Sequence, residues 1–141
     1  MKKVLIVNGP NMGHLGRRQP EIYGDATLDD LIATVRAAYP ELEIEHFQSD
    51  IEGEIVRRLL LADDDASLAG VVLNAAAYTH TSVAIADAVA AIAKPVVEVH
   101  MSNVASREPM RQRSLIAPYC AGSISGFGAL SYYLAVKALI S

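Results

Sequence analysis

Val4-Leu5-Ile6-Val7, stopped by Asn8-Gly9-Pro10, is the stretch from which the rest of the chain is best understood. Four consecutive apolar residues, three of them β-branched, are too few for an ordinary helix. They lack the polar alternation of a half-exposed strand, so they match a parallel strand covered on both faces. The Asn-Gly-Pro turn then breaks the chain away from the sheet. Val71 to Leu73, Val96 to Val99, and Ile124 with its neighbours repeat the pattern and predict three further buried strands. Leu42 to Phe47 mixes apolar with charged residues and predicts a fifth, more exposed strand.

Helical patterns lie between these runs. The first opens at Thr27, carries Asp29 and Asp30 in its first turn, and stops at Pro40. Ser49 followed by Glu52 has the spacing of a capping box and predicts a second helix reaching about Ala62, before a solvated Asp63-Asp64-Asp65 loop. Thr81 to Ala93 is rich in alanine, with Thr81 and Ser82 as candidate caps, and Gly128 to Ile140 closes the chain. Strands alternating with helices predict an α/β fold, a flavodoxin-like three-layer sandwich with a five-stranded parallel sheet, as one domain over residues 1–141.

The bulk properties narrow the function. A chain of 141 residues with 52% hydrophobic content suffices for one core. A net charge of −4 argues against a nucleic-acid partner. No apolar run nears a membrane span or a signal peptide, so the expectation is a soluble, unprocessed cytoplasmic protein with no membrane partner. Cys120 is the single cysteine, without an internal disulfide partner, and suits packing. Against the acidic total, Arg17, Arg18, His80, His100, Arg107, Arg111 and Arg113 cluster in loops, which points to a small anionic ligand.

In such a fold, ligands bind beyond the carboxyl ends of the strands. The first exit, from Asn8 to Ala26, is long for a strand-to-helix connection. Its glycines miss the dinucleotide fingerprint. It places Arg17 and Arg18 shortly before Tyr23, and a cation beside a tyrosine favours the phenolate, although a loop tyrosine can equally pack as part of a lid.

The second exit, Asn74 to His80, offers two hydrogen-bonding side chains among small residues. The third puts His100 at the end of a strand, two residues from Glu98 on the same face. That pair is either an oriented acid or a structural ion pair. Backbone amides after His100 could receive a carboxylate. Arg107 and Arg111 would share one face if their segment is helical, and would otherwise be solvated charges. The four histidines are scattered, which predicts no metal. Lys2, Lys3 and Lys94 stand at strand entrances and Lys137 on the last helix, away from a site that would need a Schiff base.

Asn8-Gly9-Pro10-Asn11, then Leu15-Gly16-Arg17-Arg18-Gln19-Pro20-Glu21-Ile22-Tyr23-Gly24, resembles the opening signature of the type II dehydroquinases. Phe47-Gln48-Ser49 with Glu52-Gly53-Glu54, Asn74 to Ser82, Glu98-Val99-His100 with Ser102-Asn103, and Gly126-Phe127-Gly128 match further blocks in the same order.

The resemblance implies a hydro-lyase of the shikimate pathway, in aromatic amino acid biosynthesis. Such an enzyme dehydrates 3-dehydroquinate to 3-dehydroshikimate through an enolate-like intermediate, without a cofactor, as a homododecamer built as a tetramer of trimers. By the same resemblance Tyr23 matches the general base, Arg18 the residue favouring its phenolate, His100 the general acid, and Asn11 the residue positioning a water at the enolate oxygen. Asn74, His80 and Arg111 match binders of the substrate hydroxyls and carboxylate, joined by the amides of Met101 and Ser102. Arg107 matches a lid-side arginine, and Asp87 an acid offered by a neighbouring subunit.

Met12 and the stretch from Val104 to Met110 depart from the usual pattern, and Pro109 threatens the placement of Arg111. Two rival readings are a flavin- or nucleotide-binding flavodoxin-like module and a non-catalytic relative kept for assembly.

Overall fold

The structure is a computed structural model and describes residues 1–15 and 27–141. Strands β1 (Lys3–Asn8), β2 (Glu43–Gln48), β3 (Leu68–Asn74), β4 (Val96–His100) and β5 (Gly122–Ser125) form one sheet. All of its pairings are parallel and its order is β2-β1-β3-β4-β5. This is the expected α/β three-layer arrangement, with the strand order reversing between β1 and β3. Helices α1 (Leu28–Ala38), α2 (Glu52–Ala62), α3 (Val83–Ala91), the short α4 (Pro109–Gln112) and α5 (Leu130–Ile140) complete it. None of the helices among the described residues is long and apolar enough to cross a membrane.

Alternation along each strand sends side chains to two cores. Val4, Ile6, Val72 and Val97 face α1 and α5, through Leu31, Ile32, Val35, Tyr132, Ala135 and Val136. Leu5, Val7, Val71 and Leu73 face α2 and α3, through Ile55, Leu59, Ile85 and Val89. With both faces covered, β1 and β3 need no polar residue between their first residues and their exits, which is why they read as unbroken apolar runs, whereas β4 carries the buried Glu98 two residues before its last. The register aligns those exits: Asn8 stands opposite both Gln48 and Asn74.

Several local expectations are corrected. Thr27 does cap α1, in a reciprocal box with Asp30. Ser49 does not cap α2, because its hydroxyl accepts from the Ile51 N–H at 2.9 Å and is bonded to Glu54, leaving Ile51 at the cap position. Helix α3 starts at Val83 rather than Thr81, with Ser82 alone as the cap, because Ala76–His80 is wound as a 3-10 turn. It ends at Ala91, and the N–H groups of Ala93 and Lys94 turn to the Asp63 carboxylate ahead of Pro95.

Asp63 and Asp65 are therefore structural acceptors rather than a merely solvated run. Strand β5 is exposed or half-buried along its length, since only β4 pairs with it. Helix α5 begins at Leu130 because Gly128 sits at φ +60°, outside helical backbone.

Candidate active site

A cavity of about 250 Å³ opens over the strand exits. That is below the roughly 300–1,000 Å³ of drug-sized pockets and suits a small metabolite. Three loops form it, one after each of β1, β3 and β4.

The β1 and β3 exits are pressed together at Gly9. A Cβ there would lie 2.4 Å from the Ala75 carbonyl oxygen, so only glycine permits the Gly9 N–H to reach the Asn74 carbonyl at 2.7 Å. Two residues on, Asn11 takes a left-handed φ of +67° and donates its backbone N–H to Asp50 at 2.9 Å, and it lines the cavity. Asparagine tolerates this region better than most residues. Across the gap, Ala76 holds φ +52°, rare for a residue with a Cβ, and its N–H donates to Asn74 Oδ1 at 3.0 Å. The Asn74 carboxamide, only 4% exposed, thus shapes the loop and lines the cavity.

Both catalytic-type histidines line the cavity. His80 Nδ1 lies 2.7 Å from the Arg113 carbonyl, which puts a proton on Nδ1. His100 Nε2 is 2.5 Å from Glu98 Oε1, and the other Glu98 oxygen accepts from Ser114 at 3.1 Å. Glu98 is 2% exposed and belongs to the strand, so the imidazole rests on a rigid carboxylate that is itself oriented. Of this pair, His100 is the member that lines the cavity. The two imidazoles lie nearly parallel, 6.4 Å apart.

Arg107, Arg111, Met101 and Ser102 complete the third wall. Arg107 precedes α4 and is not one helical turn from Arg111 on a common helix, as the spacing suggested. Both nevertheless reach the same cavity. Pro109 does no damage, because it takes the first position of α4, where a missing N–H costs nothing. Arg107 donates to Ser102 Oγ at 3.1 Å, and Arg111 is paired with Glu108, whose carboxyl it holds below the usual range. Among the described residues, this wall therefore carries two guanidiniums, Arg107 and Arg111, and the Glu108 carboxylate.

Asp87 lies on the exposed side of α3 and is not among the residues of this cavity. Tyr23 and Arg18 lie outside the described residues. Among the described residues, no group of three His, Cys, Asp or Glu side chains could hold a metal. Cys120 is half-buried, and burial pushes its thiol up to about 12, consistent with packing.

Sequence reasoning missed Ser114, which orients Glu98, and Asp50, which pins Asn11. Neither belongs to a local pattern that would single it out. Lys3 and Lys94 stand at the amino ends, where Lys3 pairs with Glu45 and Asp65, and Lys94 donates to the Leu68 carbonyl.

Comparison with known proteins agrees with this geometry. Residues 2–140 match the family model described as Dehydroquinase class II. The chain is 50% identical over 137 residues to a 3-dehydroquinate dehydratase of Pelodictyon phaeoclathratiforme, covering 97% of this chain and 91% of the relative. It superposes on a type II dehydroquinase from Butyrivibrio crossotus with TM-score 0.95 and 38% identity, covering 99% and 98% of the two chains. The enzyme from Propionibacterium acnes gives 0.93 and 42%, covering 99% and 96%. With the fold, the strand-exit cavity and near-complete likeness in agreement, the chain belongs to the class II dehydroquinase family.

Proposed function

We propose that this protein is a hydro-lyase that converts 3-dehydroquinate to 3-dehydroshikimate and water, in the shikimate pathway, by anti elimination through an enolate. The observation that carries the reading is His100, held at the cavity by a buried carboxylate at 2.5 Å. Departure of a tertiary hydroxyl needs a proton donor fixed in direction, and a strand-borne imidazole braced by Glu98 meets that need.

The steps use side chains, one bound water and proton exchange with solvent. Tyr23, as phenolate favoured by Arg18, removes the proton next to the ketone. The electron pair moves onto the carbonyl oxygen, where a water positioned by Asn11 stabilises it. Collapse of the enolate expels the hydroxyl, which takes a proton from His100 and leaves as water. His100 is then reprotonated and Tyr23 deprotonated through solvent.

Asn74 and His80 hold the substrate hydroxyls. Arg111 and the amides of Met101 and Ser102 hold its carboxylate, with Arg107 closing over the site. No cofactor takes part. The reading extends to a cytoplasmic homododecamer, a tetramer of trimers in which Asp87 of one subunit serves its neighbour's site. The exposed position of Asp87 is compatible with that role.

Stereospecifically deuterated 3-dehydroquinate tests the pathway. Loss of the hydrogen anti to the departing hydroxyl, together with abolished turnover by folded Tyr23→Phe, is the expected outcome. Syn loss or near-normal turnover by Tyr23→Phe would contradict it.

A further inference from the structure

Beneath the cavity floor, four polar side chains from four elements are joined in one unbroken line. Asn74 Nδ2 donates to the Tyr132 hydroxyl at 2.9 Å, and the Tyr132 hydroxyl donates to Asn8 Oδ1 at 2.5 Å. Asn8 Nδ2 meets His46 Nε2 at 3.0 Å. Asn8 and Tyr132 are 0% exposed, so no water can substitute for a missing partner.

The direction of every link follows from one fixed donor. The backbone N–H of Ala76 can only donate, so Asn74 must present its oxygen to it and its NH2 to Tyr132. A phenol has a single proton. The buried Tyr132 hydroxyl accepts from Asn74, and among the described residues its proton finds its acceptor in the Asn8 oxygen, so the Asn8 NH2 is turned toward His46. The line therefore ends correctly only on an unprotonated Nε2, that is, on a neutral His46 with its proton on Nδ1. A doubly protonated ring would set donor against donor. Reversing the line to accommodate it fails at Ala76, whose N–H cannot become an acceptor.

We propose that His46, Asn8 and Tyr132 are positioning residues for the dehydration: they lock the orientation of the Asn74 carboxamide in the cavity, and a neutral His46 is the terminus that makes the lock possible. The inference rests on the proposed role of Asn74 toward a substrate hydroxyl. The second N–H of that amide faces the Met12 thioether at 3.8 Å, a weak acceptor that a hydroxyl oxygen would readily displace. The surroundings of His46 favour the neutral ring. Burial is the largest influence and the nearby Arg36 adds to it, while Asp29, also on α1, opposes them, and the ring titrates below its ordinary range.

Two measurements separate the parts of this proposal. Nitrogen-15 NMR of the His46 ring and of the Asn74 side-chain amide tests the line without reference to activity. The expected result at neutral pH is an unprotonated Nε2, with an Asn74 amide signal that moves in Tyr132→Phe. A proton on Nε2 would overturn the proposal.

Steady-state kinetics then tests the tie to the reaction. Tyr132→Phe should raise KM for 3-dehydroquinate roughly tenfold, as expected for losing one oriented buried hydrogen bond, with a smaller fall in kcat. His46→Leu should do likewise. Wild type should show a rise in KM as it is acidified below the His46 titration, and His46→Gln, which can accept at the same place, should restore KM and remove that rise. Unchanged KM in Tyr132→Phe, with only its stability lowered, would reduce the line to a structural feature and overturn the proposal. Absence of turnover in wild type would fail the functional reading instead, leaving the NMR result to judge the line.

Discussion

At the amino ends of the strands, Lys3 sits 2.8 Å from Glu45 and 2.9 Å from Asp65, while Arg58 pairs with Glu45 at 2.6 Å. At the carboxyl ends, Asn8, Asn74, Glu98 and His100 are buried, and His80, Arg107 and Arg111 look into a cavity. Both ends are polar, and the groups just named are hydrogen-bonded or ion-paired. The difference lies in what the groups are fixed for. Charges at the amino ends neutralise one another at the surface, where each pair contributes little and salt weakens it. Groups at the carboxyl ends are held by partners beneath them, and Asn74 and His100 keep one face on the cavity. Those partners are Ser114 under Glu98, Glu98 under His100, and Tyr132 under Asn74. A parallel sheet makes this asymmetry available because all its strands leave at the same end.

The contrast predicts unequal consequences for substitutions. The largest effect is expected for His100→Gln, which should lower kcat by about 10²- to 10⁴-fold, the range for a lost general acid, without lowering Tm. A profile in which Tm collapses and activity per folded molecule survives would place His100 with the structural groups. Next comes Glu98→Gln. It keeps the shape but withdraws the charge that orients His100, so kcat/KM should fall about 10- to 100-fold, matching the roughly 1.5–3 kcal/mol of hydrogen bonds to charged groups. Ser114→Ala should follow in the same direction by less, and a Ser114→Ala effect exceeding that of Glu98→Gln would break the proposed order of support.

Lys3→Met should behave in the opposite way, with a lower Tm at low salt, a smaller difference at high salt, and unchanged kcat/KM. Loss of activity in that variant would show that the two ends are coupled.

Acid should distinguish the ends by pH. His46, beneath the site, has its folded titration lowered from the ordinary value of 6.5, so its contribution to stability is complete above about 6.5 and is lost as pH falls through the lowered value. Asp65, at the other end, is held down to about 2, chiefly by its bonds to Ser67 and Lys3. Its contribution is present above its ordinary 3.8 and is lost as pH falls through about 2. Denaturant midpoints should therefore change in separate windows: His46→Gln, which keeps the acceptor but does not titrate, parts from wild type as pH falls below about 6.5, whereas Asp65→Asn converges with wild type only below about pH 4.

The sheet was legible because burial on both faces leaves unbroken apolar runs, and the exits were legible because the polar residues return there together. Expectations based on a short local pattern fared unevenly. The helix expected to open at Thr27 does so, with an unforeseen capping box between Thr27 and Asp30, whereas Ser49 and Glu52, read as a capping box, have the same spacing and do not form one, since Ser49 is turned inward to Ile51 and Glu54. Nothing in the local sequence distinguishes the two.

The groups that support the site were least legible of all. Tyr132 sits in a mostly apolar closing helix and meets Asn8 across 124 positions of chain, a pairing only the folded topology creates. Asp87 carries no signal within one subunit, because its exposed helix face has no part in the cavity.

The most direct test is the ultraviolet absorbance of the conjugated enone when metal-stripped protein is incubated with 3-dehydroquinate. The account predicts that the enone forms with wild type and fails to form at a comparable rate with folded His100→Gln. An equal rate in both proteins, or none with folded wild type, would contradict it.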